Sequence, residues 1–290
     1  MSRAPLLAPA LAVVALLVAA LFASGCAAAS TGDHHTSRLH GRTAVAEPNS
    51  IGSAGDSITR AFDVDGHHLL QDDPADSWST GASPLVDSQY LQILAKNGRI
   101  KGHMFNAARS GASMSALDGQ LRTLAGDKVA YATVLMGDND VCTSSIQAMT
   151  PVSTFKAEFR QSLHDFFARD AKAHLFVSSI LNVYRLWQLL HTNKTAEAIW
   201  SYASICQSML NPNNTAKQRA EVVAREVAFN SVLKAQCAVY ANCRWDGDAT
   251  FNSPFTVADV SAVDYFHPSP IGQKDLAAVT WLHSYWGSTK

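Results

Sequence analysis

The sequence predicts an α/β fold in which a parallel sheet has helices on both of its faces. Short apolar runs, typical of buried strands, alternate along the chain with longer amphipathic segments, typical of helices. The predicted strands lie within residues 103–108, 130–137 and 174–180, and the predicted helices within 153–171, 216–240 and 269–286. This alternation favours parallel strands, because a helical crossover returns the chain to the same end of the sheet.

The helix predicted over residues 216–240 has one apolar face. Val222, Phe229, Leu233 and Cys237 recur along it at seven- and four-residue spacings. Residues with these spacings lie on one side of a helix, so we expect this stripe to be buried. The predicted elements fit one core, and we expect a single domain over residues 48–290.

The N-terminal residues 1–25 have the pattern of an export signal. Arg3 precedes an apolar run over residues 6–22, and small residues follow it. A transmembrane anchor is the alternative, but a membrane-spanning helix needs about 20 apolar residues, and this run is shorter and contains Pro9. The sequence therefore predicts an exported protein.

The residues around Cys26 resemble the cleavage box of a bacterial lipoprotein, in which the cysteine becomes lipidated. Such boxes prefer leucine where this chain has Ala23, so plain secretion stays open as the alternative. Residues 26–47 are small and polar without a repeating pattern, which predicts a flexible tether. A lipidated Cys26 would make the membrane a partner through this anchor.

The charge balance argues against a nucleic-acid partner. The chain has 23 Lys and Arg against 24 Asp and Glu, a formal net charge of −1. Proteins that bind nucleic acid through its phosphates have basic patches and usually a basic excess. We therefore expect no nucleic-acid partner.

Four cysteines remain when Cys26 is set aside, and an even number in an exported chain predicts two disulfides. Four cysteines allow three pairings. Cys237 and Cys243 lie close together near the end of a predicted helix, so we expect them to pair and Cys142 to pair with Cys206. The chain has no Cys-x-x-Cys pair, and we expect no metal site.

Four short motifs follow one another along the folded part, two of them directly after a predicted strand. They are Gly55-Asp56-Ser57-Ile58, the residues NAARSG at 106–111, Gly137-Asp138-Asn139-Asp140, and the residues DYFHPS at 264–269. In a parallel α/β sheet, functional residues collect at the carboxyl ends of the strands. The motifs are therefore expected to lie at one edge of the sheet.

Together the motifs contain the groups that acyl transfer requires. Ser57 is the candidate nucleophile, which is weak until a base removes its proton. His267 is the candidate base, and Asp264 would hold its imidazole in the productive tautomer and stabilise the imidazolium. Gly111 can present an unobstructed backbone N–H to a developing oxyanion, and Asn139 can present a side-chain N–H.

In this order the motifs resemble the four sequence blocks of the GDSL, or SGNH, hydrolase superfamily. The resemblance implies a flavodoxin-like, three-layer α/β/α fold with a central parallel sheet, and ester hydrolysis without metal or cofactor. It implies a triad of Ser57, His267 and Asp264. It also implies an oxyanion hole made of Gly111, Asn139 and the backbone N–H of Ser57. Residues 77–81 and 264–273 are most similar to exported phospholipase B-like and lipase-like members.

Two residues depart from the family pattern. Ile58 stands where the fourth letter of GDSL is leucine, which is a conservative apolar change. Asp138 occupies the second position of the third block, where the family usually has a small residue. A carboxylate that points inward there would disfavour negative charge on an oxyanion and predicts low activity. One that points to solvent would cost little.

The Asp-x-x-His spacing of the fourth motif occurs twice in the chain. Asp65 and His68 lie in a polar loop, where solvated turn residues are the expectation. Asp264 and His267 instead precede an amphipathic helix with Pro268 at its start, which fixes a histidine at a loop–helix junction. We therefore expect His267 to be the base. The lack of a Gly-x-Ser-x-Gly motif disfavours an α/β-hydrolase.

These residues predict an exported serine esterase or lipase, secreted or held at the cell surface as a lipoprotein. Its partner would be an ester substrate, and residues 181–215 contain apolar and aromatic side chains that suit either a lipid-facing lid or the core. Two alternatives stay open. The same residues could remove O-acetyl groups from carbohydrate or the cell envelope, or the chain could be an inactive exported binding protein, which Asp138 alone favours.

Overall fold

A computed structural model describes residues 45–67 and 69–287 of the chain. The strands in this part are β1 Ile51–Gly55, β2 Met104–Asn106, β3 Tyr131–Leu135, β4 His174–Val177 and β5 Cys243–Trp245. The helices are α1 Gln89–Leu94, α2 Leu117–Gly126, α3 Asp138–Val141, α4 Val152–Arg169, α5 Val183–Leu190, α6 Lys194–Tyr202, α7 Gln207–Leu210, α8 Ala216–Cys237 and α9 Pro270–His283. The predicted export signal, Cys26 and His68 lie outside the described residues.

The described strands form one sheet in the order β2-β1-β3-β4-β5, and every neighbouring pair is parallel. This is the strand order of flavodoxin-like sheets. The chain runs outward from β1 to β2, then crosses back to β3 on the other side of β1. The predicted α/β fold is confirmed, and the reversal between β1 and β3 creates the crevice in which such folds bind ligands.

Successive residues of β3 face opposite helix layers. Ala132 and Val134 join the core that includes buried residues of α2, α4 and α8. Tyr131 joins a second cluster, on the side of α1 and α9. The apolar stripe predicted for α8 is confirmed, because its members are all buried. They are Val222, Phe229, Leu233 and Cys237.

Strand β1 is central although it consists mostly of small residues. All five of its residues are buried. A side chain at Gly55 would place its first carbon 2.4 Å from Thr59 Oγ1 and 2.6 Å from the backbone oxygen of Leu135. At Gly52 the same carbon would lie 2.7 Å from Leu124 on α2. Small residues therefore allow close packing around β1. For the same reason β1 lacks the run of large apolar residues by which a buried strand is predicted.

Residues 181–215 pack on the core, as one of the two interpretations of this segment expects. Trp200 is buried, and the guanidinium of Arg219 lies 4.3 Å from the ring centre of Trp187. Cys206 in this segment is bonded to Cys142, and Cys237 is bonded to Cys243, which is the pairing expected from the sequence. Among the described residues, no helix has the length and apolar character needed to cross a membrane.

Candidate active site

The four motifs meet at the carboxyl end of the sheet, around the reversal of strand order. Ser57 lies two residues beyond β1, between the ends of β2 and β3. Gly111 lies in the loop after β2, and Asn139 lies in α3, which begins three residues after β3 ends. His267 lies in the loop that leads into α9. These residues therefore lie at one edge of the sheet, as the sequence analysis expects.

His267 connects Ser57 to Asp264. Its Nε2 atom lies 2.8 Å from Ser57 Oγ, and its Nδ1 atom lies 2.5 Å from Asp264 Oδ2. The other carboxylate oxygen of Asp264 accepts hydrogen bonds from the backbone N–H groups of Phe266 and His267, at 2.9 and 3.0 Å. A nucleophile, a base within hydrogen-bond distance and a carboxylate that orients the base are the parts of a nucleophilic hydrolase.

Two buried glutamines fix the turn that carries Ser57. Gln120 on α2 makes a pair of hydrogen bonds with the backbone of Gly55: its amide donates to the oxygen at 2.9 Å and its Oε1 accepts from the N–H at 2.7 Å. Gln273 on α9 donates to the backbone oxygen of Ile58 at 2.7 Å and accepts from the N–H of Trp78 at 2.9 Å. Gln120 lies in none of the sequence motifs, and Gln273 is the last residue of the lipase-like segment 264–273, which predicts no contact with this turn.

The predicted oxyanion residues lie beside the same turn. The N–H of Arg109, two residues before Gly111, donates to the backbone oxygen of Gly55 at 3.1 Å. The side-chain amide of Asn139 donates to the backbone oxygen of Ala112 at 3.0 Å, which ties Asn139 to the Gly111 loop. Gly111 has a φ of +78°, a conformation that favours glycine.

The backbone N–H groups of Ser57 and Gly111 donate to no acceptor in the described part of the chain. Both are therefore available to a bound group. Within residues 45–67 and 69–287, no cluster of three or more His, Cys, Asp or Glu side chains is arranged to hold a metal ion.

The sequence pattern of the GDSL-like lipase/acylhydrolase family matches residues 51–279. The chain belongs to this family. The match begins at the first residue of β1 and ends in α9, so it includes all of the motifs that meet at the site. GDSL-family membership supports an ester hydrolase.

Several solved structures resemble this GDSL-family chain at low sequence identity. A protein from Parabacteroides merdae described as a GDSL-like lipase is 13% identical, with a TM-score of 0.50 over 80% of this chain and 93% of its own. An extracellular lipase from Streptomyces rimosus is 17% identical, with a TM-score of 0.44 over 81% and 99%. A family 3 carbohydrate esterase from Clostridium thermocellum is 13% identical, with a TM-score of 0.46 over 81% and 94%. No curated protein matches the chain.

Asp138, which departs from the GDSL-family pattern, points inward. It is 4% exposed, and its Oδ2 atom has no hydrogen-bond partner in the described part of the protein. Burial raises the pKa of this carboxyl well above its ordinary value, and the nearby carboxylates of Asp56, Glu226 and Asp140 raise it further. A neutral Asp138 places no negative charge beside Asn139, so its inward position is compatible with an oxyanion there.

Three further buried acids of this GDSL-family chain have raised pKa values, each mainly because of burial. The pKa of Asp56 is about 7, although the N–H of Ile58 and the charge of His267 both lower it. The pKa of Asp140 is about 6, and that of Glu226 is about 8. Burial therefore moves the pKa values of these three carboxyls up toward or beyond neutral pH.

Proposed function

We propose that this GDSL-family chain is an exported serine esterase that hydrolyses carboxylic esters through an acyl-enzyme. One observation supports this proposal above all others. His267 lies within hydrogen-bond distance of both Ser57 Oγ and Asp264, in a crevice at the carboxyl end of the sheet. An arrangement of this kind activates a serine at neutral pH because the imidazole accepts its proton.

In the first step, Ser57 Oγ attacks the ester carbonyl carbon and its proton moves to Nε2 of His267. Asp264 accepts a hydrogen bond from Nδ1–H and stabilises the imidazolium. The N–H groups of Ser57 and Gly111 and the amide of Asn139 hold the oxyanion, and each such donor contributes about 3 kcal/mol. The tetrahedral intermediate then breaks its bond to the alkoxide, which takes the proton from His267 and leaves as the alcohol.

In the second step, a water molecule attacks the acyl carbon while His267 accepts its proton. The new tetrahedral intermediate occupies the same oxyanion site. Its collapse breaks the bond to Ser57 Oγ, which recovers its proton from His267 as the carboxylic acid leaves. The balance of atoms is ester plus water to acid plus alcohol, with no cofactor.

Export is part of the proposal. Two disulfides among the described residues suit an oxidising compartment. The N-terminal pattern supports removal of residues 1–25 and lipidation of Cys26. The intact mass of the mature protein would identify the first residue and any attached lipid, and an uncleaved, unmodified mass would contradict this part.

A fluorophosphonate probe, which reacts with activated serines, tests the nucleophile. We expect it to label Ser57 in the wild type, and we expect Ser57→Ala to lose labelling and at least about 10⁴-fold of ester turnover. Ser201→Ala changes an exposed serine on α6 and should leave both unchanged. Undiminished turnover or labelling in the Ser57→Ala variant would defeat the assignment. An unlabelled wild type without turnover would favour an inactive binding protein.

A further inference from the structure

Asn139, the proposed side-chain donor to the oxyanion, lies on a very short helix. Helix α3 is a single turn of four residues, Asp138–Val141. A helix of this length is not stable by itself, because its nucleation is unfavourable and few hydrogen bonds follow. The position of the Asn139 amide therefore depends on the contacts that hold α3.

The segment that carries Gly111 holds one side of α3. The backbone N–H of Met114 donates to the Asp140 carboxylate at 2.8 Å. The Asn139 amide donates to the backbone oxygen of Ala112 at 3.0 Å. These contacts hold the two proposed oxyanion donors, Asn139 and Gly111, relative to each other.

The C-terminal end of α3 is attached to α7. Cys142 directly follows α3 and is bonded to Cys206, which directly precedes α7. Ser208, a buried residue of α7, adds two hydrogen bonds. Its Oγ donates to the backbone oxygen of Val141 at 2.5 Å and accepts from the N–H of Thr143 at 3.2 Å. A covalent bond and a buried hydroxyl therefore hold this end of the helix together.

Helix α7 is in turn fixed to two other helices. Arg219 on α8 donates to the backbone oxygens of Met209 at 3.2 Å and Asn211 at 2.9 Å. Gln207, the first residue of α7, donates to the backbone oxygen of Trp200 on α6 at 2.9 Å. The side chains of Arg219 and Trp200 are buried. A displacement of α7 would break these contacts, so α7 is a fixed attachment for α3.

We propose that Cys142, Cys206 and Ser208 are positioning residues that act on catalysis through Asn139. The inference rests on the proposed function. The disulfide and the Ser208 hydroxyl hold α3 so that the Asn139 amide stays aligned with the oxyanion of the tetrahedral intermediate. A misplacement of about 1 Å can cost about 100-fold in rate, so turnover depends on this one intact disulfide.

Serine replacements of each disulfide test the proposal on the full-length protein. We expect Cys142→Ser with Cys206→Ser to lower kcat for a p-nitrophenyl ester at least about tenfold. The same oxyanion site serves both steps of the reaction, so KM should stay within about twofold. Cys237→Ser with Cys243→Ser removes the other disulfide and should retain the wild-type kcat. Circular dichroism would show that each variant is folded. Equal kcat in both double variants, or a change in KM alone, would overturn the inference.

An Asn139→Ala background separates positioning from a general loss of structure. Asn139→Ala alone should lower kcat about 100-fold to 1000-fold. Adding the Cys142 and Cys206 replacements should lower kcat by less than about twofold more, because the group that they position is already absent. A merely structural effect would lower kcat by the same factor in both backgrounds, and that result would overturn the inference.

Ser208→Ala tests the positioning in a protein that keeps its disulfide. It removes both hydroxyl contacts with the end of α3, and we expect kcat to fall about threefold to tenfold. Ser162→Ala removes a buried hydroxyl that donates to Glu158 within its own helix and should retain the wild-type kcat. Equal kcat in these two variants would overturn the role of Ser208.

Reduction tests the disulfide without a substitution. Dithiothreitol converts a disulfide to two thiols and is itself oxidised to a cyclic disulfide. It should lower kcat in the wild type and in the variant that lacks Cys237 and Cys243. It should not change kcat in the variant that lacks Cys142 and Cys206. Undiminished turnover of a wild type whose Cys142 and Cys206 are reduced by mass spectrometry would overturn the inference.

The inference and the proposed function fail in different ways. In each overturning result, ester hydrolysis by the untreated wild type and probe labelling of Ser57 persist. The absence of both in the wild type would instead remove the proposed function.

Discussion

Asp264 uses both carboxylate oxygens to hold His267, one on the imidazole and one on two backbone N–H groups. Tyr265, which directly follows Asp264 in the chain, has a φ of +56°, which is unfavourable for a residue other than glycine. Trp200 Nε1 donates to the Tyr265 oxygen at 3.0 Å and braces the loop from outside. The position of the base is therefore set by backbone and side-chain contacts together.

Asp264→Asn should lower kcat about 10⁴-fold, because a neutral amide neither stabilises the imidazolium nor selects the productive tautomer. Its Oδ1 can still accept from Phe266 and His267, so the loop should keep its shape. Steady-state kinetics on a p-nitrophenyl ester would measure the effect. Asp127→Asn, at an exposed position after α2, is the control. An Asp264→Asn variant whose kcat stays within tenfold of the wild-type value would show that catalysis does not require Asp264.

At the scale of single residues, the sequence could locate the proposed catalytic side chains but not the side chains that fix their positions. Ser57 and His267 belong to recognisable motifs. Gln120 belongs to no motif, and Gln273 ends the segment 264–273 without a predicted contact. They reach the Ser57 turn from 65 and 215 residues away along the chain. A glutamine within a helix has no local pattern that predicts such a contact, because only the fold creates it.

Helix α8 combines a predictable apolar stripe with polar residues that the stripe does not predict. Glu226 Oε1 accepts from the N–H of Val183 at 3.0 Å, and Asn230 Oδ1 accepts from the N–H of Ile180 at 3.1 Å. Both side chains are buried and hold the segment between β4 and α5. Glu226 Oε2 has no partner among the described residues, and burial raises its pKa to about 8.

Glu226 should make the folded protein less stable as pH rises. Its pKa is about 8 when folded and 4.5 in its ordinary state, so between these values the folded chain keeps a proton that the unfolded chain releases. The free energy of unfolding should therefore fall by about 1.4 kcal/mol per pH unit from this group. Asp56 and Asp140 contribute in the same direction over their own ranges.

Glu226→Gln keeps the acceptor for Val183 and removes the titration, so we expect a shallower loss of stability between pH 5 and 7.5. Urea unfolding at several pH values would measure the slope of the free energy of unfolding against pH. Glu221→Gln changes an exposed residue of the same helix and should retain the wild-type slope. Equal slopes in all three proteins would show that Glu226 is ionised in the folded state.

Strand prediction succeeded where apolar runs are long enough to show a pattern. It missed β5, a three-residue strand with the charged Arg244 at its centre, and β1, which is made mostly of small residues. Both strands are defined by their neighbours: β1 pairs with β2 and β3, and β5 pairs with β4. Such strands depend on the assembled sheet and have little local signal of their own.

At the scale of the whole molecule, the two disulfides constrain the chain to different extents. Cys142 and Cys206 are 64 residues apart and join the end of α3 to the segment before α7. Cys237 and Cys243 are only 6 residues apart. Loop closure restricts the unfolded chain more when the loop is longer, so the first bond should stabilise the fold more.

Replacing each pair by serines compares the two bonds directly. We expect Cys142→Ser with Cys206→Ser to lose about 2 kcal/mol more unfolding free energy than Cys237→Ser with Cys243→Ser, from the ratio of loop lengths. Urea unfolding without reductant would measure both. An equal loss, or a larger loss for the short loop, would contradict the chain-entropy explanation.

The first and last described segments meet at the edge of the sheet opposite the active site. Trp286 Nε1 donates to the backbone oxygen of Val45 at 2.9 Å, and its ring lies 4.8 Å from that of Tyr131, the first residue of β3. A five-residue strand is about 17 Å long, and this length separates the amino ends of the strands from their carboxyl ends, where Ser57 lies. Fusion to a carrier or immobilisation on a support through either of these segments would therefore leave the crevice around Ser57 accessible.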